Sequence, residues 1–464
     1  MDLNQALRQL EEPIKTIASE QVTPTAADLS KSLEAMRLGS VMFTYADLGG
    51  LLLSDRDSNA YRHSVSEIQK AVSKKGERVS ESEIESLVQR AILKSLNITG
   101  RDLESDISNR IRHSVSELRT ELQTPPASWQ IQLEILGLAP QGLPRRFGRC
   151  EFYFGDDSRV QIVTQRLELV ANSIQRGTTR QEQARQGVMA RVRECLLGKT
   201  CIETYVDAVD ALAARNIAEK QVRLTLDILN FYANVLLTQL QHRLCLAGDE
   251  LPARRWYVVS SEVRTEASVS DGRIGPLFPF SFDMIKPERL GYERISILLQ
   301  KLKVSKLENR ILAALQWAGR ALVERRKEEA FLLFAISLEA LLLKDEVASE
   351  ITERFALRAS YLAISKPEAR IKAYRELKKL YGTRSKIVHA GNTRITDEEL
   401  AKIRFFAETI LLTMLSVSPF ASMIEEAELE DWFETAIVGG TDYTLGRDIV
   451  NGPTEASSEN DQSS

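Results

Sequence analysis

Apolar residues recur at helical spacing over most of this chain and alternate with polar ones over only a short part of it. In EIESLVQRAILKSL, Ile84, Leu87, Val88, Ala91, Ile92 and Leu96 fall on one face, preceded by acidic residues and followed by Asn-Ile-Thr-Gly. That pattern predicts a helix with both of its ends marked. Residues 1–123 read throughout as helices and connecting loops. Within them SNAYRHSVSEI, around Arg62 and His63, recurs fifty residues later as SNRIRHSVSEL, around Arg112 and His113; Gly50 and Gly100 keep the same offset. Two copies fall short of a solenoid, so the echo predicts a duplicated helical hairpin.

Thr124-Pro125-Pro126 then breaks any helix, because proline removes a donor and restricts the residue before it. WQIQLEILGL alternates Ile131, Leu133 and Ile135 with polar neighbours, and CEFYFG, TCIETYV and WYVVSSEV are further strand candidates. Between them, VDALAARNIAEKQVRLTLDILNFYANVLLTQL is strongly helical. Residues 125–270 therefore predict a small α+β module. SDGRIGPLFPFSFDMIKPERLG, rich in Gly and Pro, predicts a loop or linker. Beyond it helices are predicted over 305–326, 328–344, 350–364, 367–390 and 396–417, and their short connections favour an antiparallel bundle over 300–420. Residues 439–464 lack the apolar surface to order themselves and predict a disordered tail. The expected fold class is mainly α: a helical N-terminal region, a small α+β module and a C-terminal antiparallel helical bundle.

Composition narrows the chemistry. In 464 residues, 61 Lys and Arg face 65 Asp and Glu, a net charge of −4. A generally basic nucleic-acid binder is excluded, so any such contact must come from a local patch. Four cysteines without a CxxC and four histidines without a cluster predict neither a disulfide scaffold nor a metal site, and no cofactor is expected. MDLNQALRQLEEPIK does not read as a secretory signal. The most apolar runs, AFLLFAISLEALLL and FFAETILLTMLSVSPF, are interrupted by Glu and too short for a membrane span. A cytoplasmic protein without membrane contact is the expectation.

One helix carries a chemical signal. In AYRELKKLYGTRSKIVHAGN the apolar stripe runs through Tyr374, Leu377, Tyr381, Ile387 and Val388, and Arg384, seven residues after Leu377, points along it. A buried guanidinium needs a carboxylate, and Glu339, set in FLLFAISLEALLL, is the simplest candidate. Arg354 and Arg358 could compete for it. His389 lies five residues after Arg384, about 140° around a regular helix. Gly391 suits a helix C-terminus, and Thr396 with Glu399 forms a capping-box pattern for the next helix.

Arg384-Ser-Lys-Ile-Val-His389-Ala-Gly resembles the R-x4-6-H motif of HEPN domains, in particular the Apea-like branch, which has a tyrosine shortly before the arginine and Val-His-Gly at the end. Glu339 within Leu-Glu-Ala-Leu and the RFALRASYL segment are similar to the second and third helices of that family. The resemblance covers roughly residues 300–420. It implies a dimerising helical bundle and a metal-independent endoribonuclease. His389 would act as general acid or base at the ribose 2′-hydroxyl, Arg384 would hold the scissile phosphate, and Glu339, Ser385 and Tyr381 would support them. A 2′,3′-cyclic phosphate would be the product. Ser385 departs from the Asn, Asp or His that many catalytic members carry there, and Ala390 from a frequent Gly.

The expected partners are RNA, with Lys372, Arg375, Lys378 and Lys379 as a backbone track, and a second copy through residues 300–420, anchored by Trp317 and Tyr381. Arg320, Arg325, Arg326 and Lys327 form a second basic group. Residues 1–270 would sense, inhibit or position the nuclease and offer a site to a regulatory partner, as in toxin or anti-phage defence effectors; that role is analogy. The alternative is a non-catalytic dimerisation or interaction protein, in which Arg384 and Glu339 form a plain ion pair and His389 caps a helix. Elsewhere, Gly198-Lys199-Thr200 lacks the preceding glycine of a phosphate loop, Arg193 standing in its place. His242 reads as a helix-end residue, His63 and His113 as exposed helix residues.

Overall fold

The computed structural model describes residues 3, 5–11, 42–45, 49–52, 55–73, 79–96, 107–123, 125–173, 186, 190, 192–236, 242–249, 254–260, 265–271, 279–284, 290–343, 351–390 and 394–439. The described residues are mainly helical. They fall into two compact units, one of Met1–Ile131 with Tyr205–Lys220, the other of Gln132–Thr204 with Gln221–Ser464. The 440–464 part of the expected tail lies outside the described residues.

In the first unit three helices, α1 (Asp55–Ser73), α2 (Glu81–Leu96) and α3 (Ile107–Leu122), share one core. Tyr61, Val65 and Ile68 of α1 and Ile111, Val115 and Leu118 of α3 are all buried there with Ile84, Val88 and Ile92 of α2. The repeated sequence is thus helical in both places and buries the same positions. The helical reading of residues 1–123 needs one correction: β1 (Met42–Tyr45) pairs antiparallel with β2 (Gly49–Leu52). Four-residue strands are too short to stand out by alternation.

The chain then forms a five-stranded sheet of β3 (Ala127–Leu136), β4 (Arg145–Phe147), β5 (Cys150–Phe154), β6 (Thr200–Ala208) and β7 (Cys245–Leu246), in the order β4-β5-β6-β3-β7. Helix α4 (Asp157–Ser173) follows β5 and the long α5 (Ala211–Leu236) follows β6. A separate hairpin joins β8 (Arg254–Ser260) to β9 (Thr265–Asp271). The first of these strands carries the expected WYVV run; the second, TEASVSD, has no apolar alternation to announce it.

After a short α6 (Tyr292–Leu298) come α7 (Lys306–Val323), α8 (Lys327–Leu342), α9 (Ile351–Ala363), α10 (Pro367–Ala390), α11 (Asp397–Ser416) and α12 (Glu426–Gly439). Helices α7 to α11 match the predicted spans to within a few residues. Capping boxes at Ser305 with Glu308 and at Thr396 with Glu399 start α7 and α11.

The sheet and the bundle of the second unit have a common core: Ile135, Phe152 and Ile202 are continuous through Leu226 and Phe231 of α5 with Leu315 of α7 and Leu338 of α8. Of the two readings of the Gly- and Pro-rich stretch, loop or linker, its described residues fit a loop packed on the core. Phe280, Phe282 and Leu290 are buried in that core, and the Phe280 backbone accepts from Ala139 N at 2.7 Å and donates to Gly137 O at 2.8 Å. Its composition signals irregular backbone, and irregular backbone can still bury aromatic rings.

Candidate active site

Beyond its first turn, which carries Glu328 and Glu329, helix α8 is apolar on nearly every side, so the carboxylate of Glu339 must be accounted for. The end of the helix is fixed first. Arg310 of α7 donates to Ala340 O (Nε, 3.2 Å) and to Leu341 O, and Arg358 of α9 donates to Leu342 O at 2.8 Å. These guanidiniums satisfy carbonyls that a helix C-terminus leaves without partners. Each also binds α12: Arg310 to Glu426 at 2.5 Å, Arg358 in two-pronged fashion to Glu430, with Nη1 at 2.9 Å. Arg358 is therefore committed to Glu430, and Arg354 is exposed.

That leaves Glu339 to Arg384, as the simplest pairing had it. Arg384 Nε lies 2.9 Å from Glu339 Oε1 and Nη2 donates to Oε2 at 3.1 Å. The Nε hydrogen is poorly aligned with Oε1, so Nη2···Oε2 is the one well-formed bond of the pair. Side-chain exposures of 26% and 19% place the pair at the edge of the core. Burial pushes the Glu339 carboxyl up and the Arg384 guanidinium opposes it, the net shift being upward. Tyr381, one turn earlier on α10, packs on Phe355 at 4.7 Å between ring centres and has the Arg384 guanidinium 5.9 Å from its ring. Its hydroxyl pKa is raised by burial and by the Glu339 carboxylate. Glu339, Tyr381 and Arg384 thus form one cluster.

His389 stands apart from it. Helix α10 remains helical to Ala390, so the five-residue offset keeps His389 about 140° from Arg384. His389 is exposed and, among the described residues, has no hydrogen-bonding partner; Ser385 is half-buried. The turn expected at Gly391 lies outside the described residues. One chain therefore presents an anchored guanidinium and a solvent-facing imidazole on different sides of one helix end.

The basic track is partly neutralised within the molecule. Lys378 pairs with Glu353, and Lys379 with Glu376 at 3.1 Å; Lys372 and Arg375 are exposed with no ion pair among the described residues. In the second basic group Arg320 binds Asp227 at 2.8 Å, Arg326 binds Glu329 at 2.5 Å and Lys327 binds Asp397 at 2.7 Å. Trp317 is half-buried and carries Arg320 over its ring at 5.1 Å.

Comparison with protein-family models, curated proteins and solved structures finds no match to this chain.

Other sequence features fall outside the cluster. Lys199 is tied to Glu134 at 2.8 Å and Thr200 opens β6, so this segment makes no phosphate loop. His242, read as a helix-end residue, is fully buried and itself not helical, with its backbone N–H donating to Asn234 Oδ1 at 2.9 Å. Among the described residues no group of three or more His, Cys, Asp or Glu is placed to hold a metal ion, and no helix is long and apolar enough to cross a membrane. Sequence reasoning missed the Arg310/Arg358 clamp. Its available signal was the i, i+4 pair Glu426 and Glu430 in EEAELEDWF.

Proposed function

We propose that the protein is a metal-independent endoribonuclease of HEPN type, with Arg384 and His389 as its catalytic pair. The observation that carries this reading is Arg384, anchored by Glu339 beside Tyr381 on the same helix end that exposes His389. The 2′-oxygen of the ribose would attack the adjacent phosphorus, displacing the 5′-oxygen and leaving a 2′,3′-cyclic phosphate. An imidazole would take the 2′-hydroxyl proton, and an imidazolium would supply one to the leaving oxygen. Arg384 would bind the phosphate oxygens as charge develops on them, with Glu339 holding it in place. Two imidazole roles and a separated guanidinium suit a site completed by a second copy. A homodimer through residues 300–420, related by a two-fold axis, would bring two Arg384/His389 pairs to one groove. Defence or toxin activity, with control by the N-terminal half, belongs to the same proposal.

A second reading has its own support. Arg384 is already paired, and two of the four lysines and arginines of the expected RNA track are bound to carboxylates. Those facts favour a bundle that only dimerises and binds a partner.

Purified protein incubated with mixed RNA, with and without EDTA, separates the two. Cleavage that survives chelation and is lost in both His389→Ala and Arg384→Ala supports the nuclease. A dimer without cleavage supports the scaffold. Recovery of activity on mixing the two inactive variants is the expected mark of a composite site, and Mg²⁺-dependent cleavage would overturn the mechanism.

A further inference from the structure

Helix α10 has one face that ends at His389. Arg375, Lys378, Gly382 and Ser385 all lie within about 40° of His389 around a regular helix, while Arg384 lies on another side. Arg375 is exposed and has no ion pair among the described residues; Ser385 is half-buried. At Gly382 a Cβ would meet no atom of the described residues within 4 Å. Packing among them therefore gives no reason for a glycine in a helix interior, where it is destabilising. The face is open, and it carries positive charge toward a solvent-facing imidazole.

One acid intrudes on this face. Glu353, in the first turn of α9, accepts hydrogen bonds from Lys378 Nζ and from the hydroxyl of Tyr374, one turn earlier on α10. Lys378 also lies over the Tyr374 ring, 5.4 Å from its centre. The Lys378 and Tyr374 bonds hold the Glu353 carboxyl below its ordinary range, so it is charged at neutral pH. The contact does little for the fold. Side-chain exposures of 38% for Lys378 and 48% for Glu353 leave it screened by water, and exposed pairs contribute little stability. The two helices are already joined beneath it, where Phe355 packs on Tyr381 and Ala359 shares a core with Leu377 and Leu380. What the pair controls is Lys378 itself, whose ammonium is withheld from any anion on that face while Glu353 keeps it.

Building on the nuclease reading, we propose that Glu353 gates substrate RNA: it holds Lys378 in an autoinhibitory contact that must open for that lysine to bind a strand lying along α10 toward His389. A phosphodiester offers an ammonium the same kind of charged oxygen acceptor as the carboxylate it replaces. Arg375 stands uncommitted on the same face for a neighbouring phosphate. The pairing of Lys378 weighs against RNA binding only if it is permanent, and a pair this exposed exchanges readily.

The test titrates full-length protein carrying His389→Ala, so that RNA is not consumed, with labelled mixed-sequence single-stranded RNA in a salt series. On this parent, Glu353→Gln should tighten binding about two- to fivefold at moderate salt, the effect of releasing one exposed ion pair. The slope of log affinity against log salt should steepen by about 0.7, which one new phosphate contact adds on a single strand. Glu353→Gln made in a Lys378→Gln background should change neither value, because the acid acts only through that lysine. An equal gain in that background would mean general repulsion by the acid and overturns the gate. In the chain with His389 intact, Glu353→Gln should lower KM by a like factor and leave kcat unchanged; a change in kcat alone overturns it. So does a marked fall in melting temperature, which would make the pair structural. RNA binding by the parent with no gain in Glu353→Gln overturns the gate and leaves the nuclease reading standing. RNA binding by neither protein overturns both, and binding gained only in Glu353→Gln supports a gate that is closed at rest.

Discussion

Gly319 of α7 lies directly on the backbone carbonyl of Asp227 in α5: a Cβ at this position would stand 1.8 Å from that oxygen. Contact this close joins the bundle to the helix behind the sheet, and Arg320 and Gln316 bind the Asp227 carboxylate beside it at 2.8 and 3.1 Å. Gly319→Ala must therefore push two helices apart. Overpacking of this kind costs about 1–3 kcal/mol, and the backbone nature of the obstacle puts the expected loss at the upper end. Urea unfolding of the variant measures it; a change below about 0.5 kcal/mol, the usual range for a surface substitution, would show that the helices separate freely.

Arg358 has side-chain exposure of only 11% and Glu430 of 16%. Removing one partner strands the other, a loss of about 3–5 kcal/mol. Arg358→Ala should show it in denaturant titration. Arg358→Lys should recover only part, because one ammonium cannot serve both carboxylate oxygens and Leu342 O in the same plane. Full recovery by lysine would reduce the clamp to simple charge.

The Glu339 carboxyl has its pKa raised in the folded state by burial. A raised carboxyl binds its proton more tightly folded than unfolded. Its contribution is thus fully present below the ordinary glutamate range and is lost as pH rises through the folded value. The stability of the wild-type chain relative to Glu339→Gln should accordingly be greatest in mild acid and fall toward neutrality. Paired melts of the two proteins from pH 4 upward, at about half-unit steps over the ordinary carboxylate range, will show this. A difference that grows with pH means Arg384 dominates the site instead.

Cys150, Cys201 and Cys245 are buried, and Cys195 is exposed. Burial also pushes the Cys201 thiol up to about 11 and raises that of Cys150. Thiolate, not thiol, reacts, so a disulfide reagent at neutral pH should label Cys195 promptly and the other three only on unfolding. Cys195→Ser should abolish the fast phase.

What could be read from the sequence followed from what burial demands of a side chain. Glu339 in a run of leucines and Arg384 on an apolar stripe each require a partner, and the pairing is the simplest answer to both needs. The helix spans were legible because periodicity and caps mark them. The clamp on α8 was not, because half of its hydrogen bonds end on the carbonyls of Ala340, Leu341 and Leu342, and a backbone acceptor leaves no trace in residue type. Glu426 and Glu430 also look like ordinary solvated charges of an acidic helix. Phe280 and Phe282 were hidden by neighbouring glycines and prolines, which report on backbone regularity and say nothing about where a ring is buried.

The arginines that finish α8 take their counter-charges from α12, well over a hundred residues after Arg310. During synthesis, α7, α8 and α9 leave the ribosome with Arg310 and Arg358 already present and both of their carboxylates still unmade. Until residues 426 to 430 emerge, the two cations have the helix end but no anions, and the surface that α12 covers stays open to water and chaperones. Closure of the bundle is thereby tied to near-completion of the described fold, which postpones any activity housed at α10 until almost the whole of it has been translated.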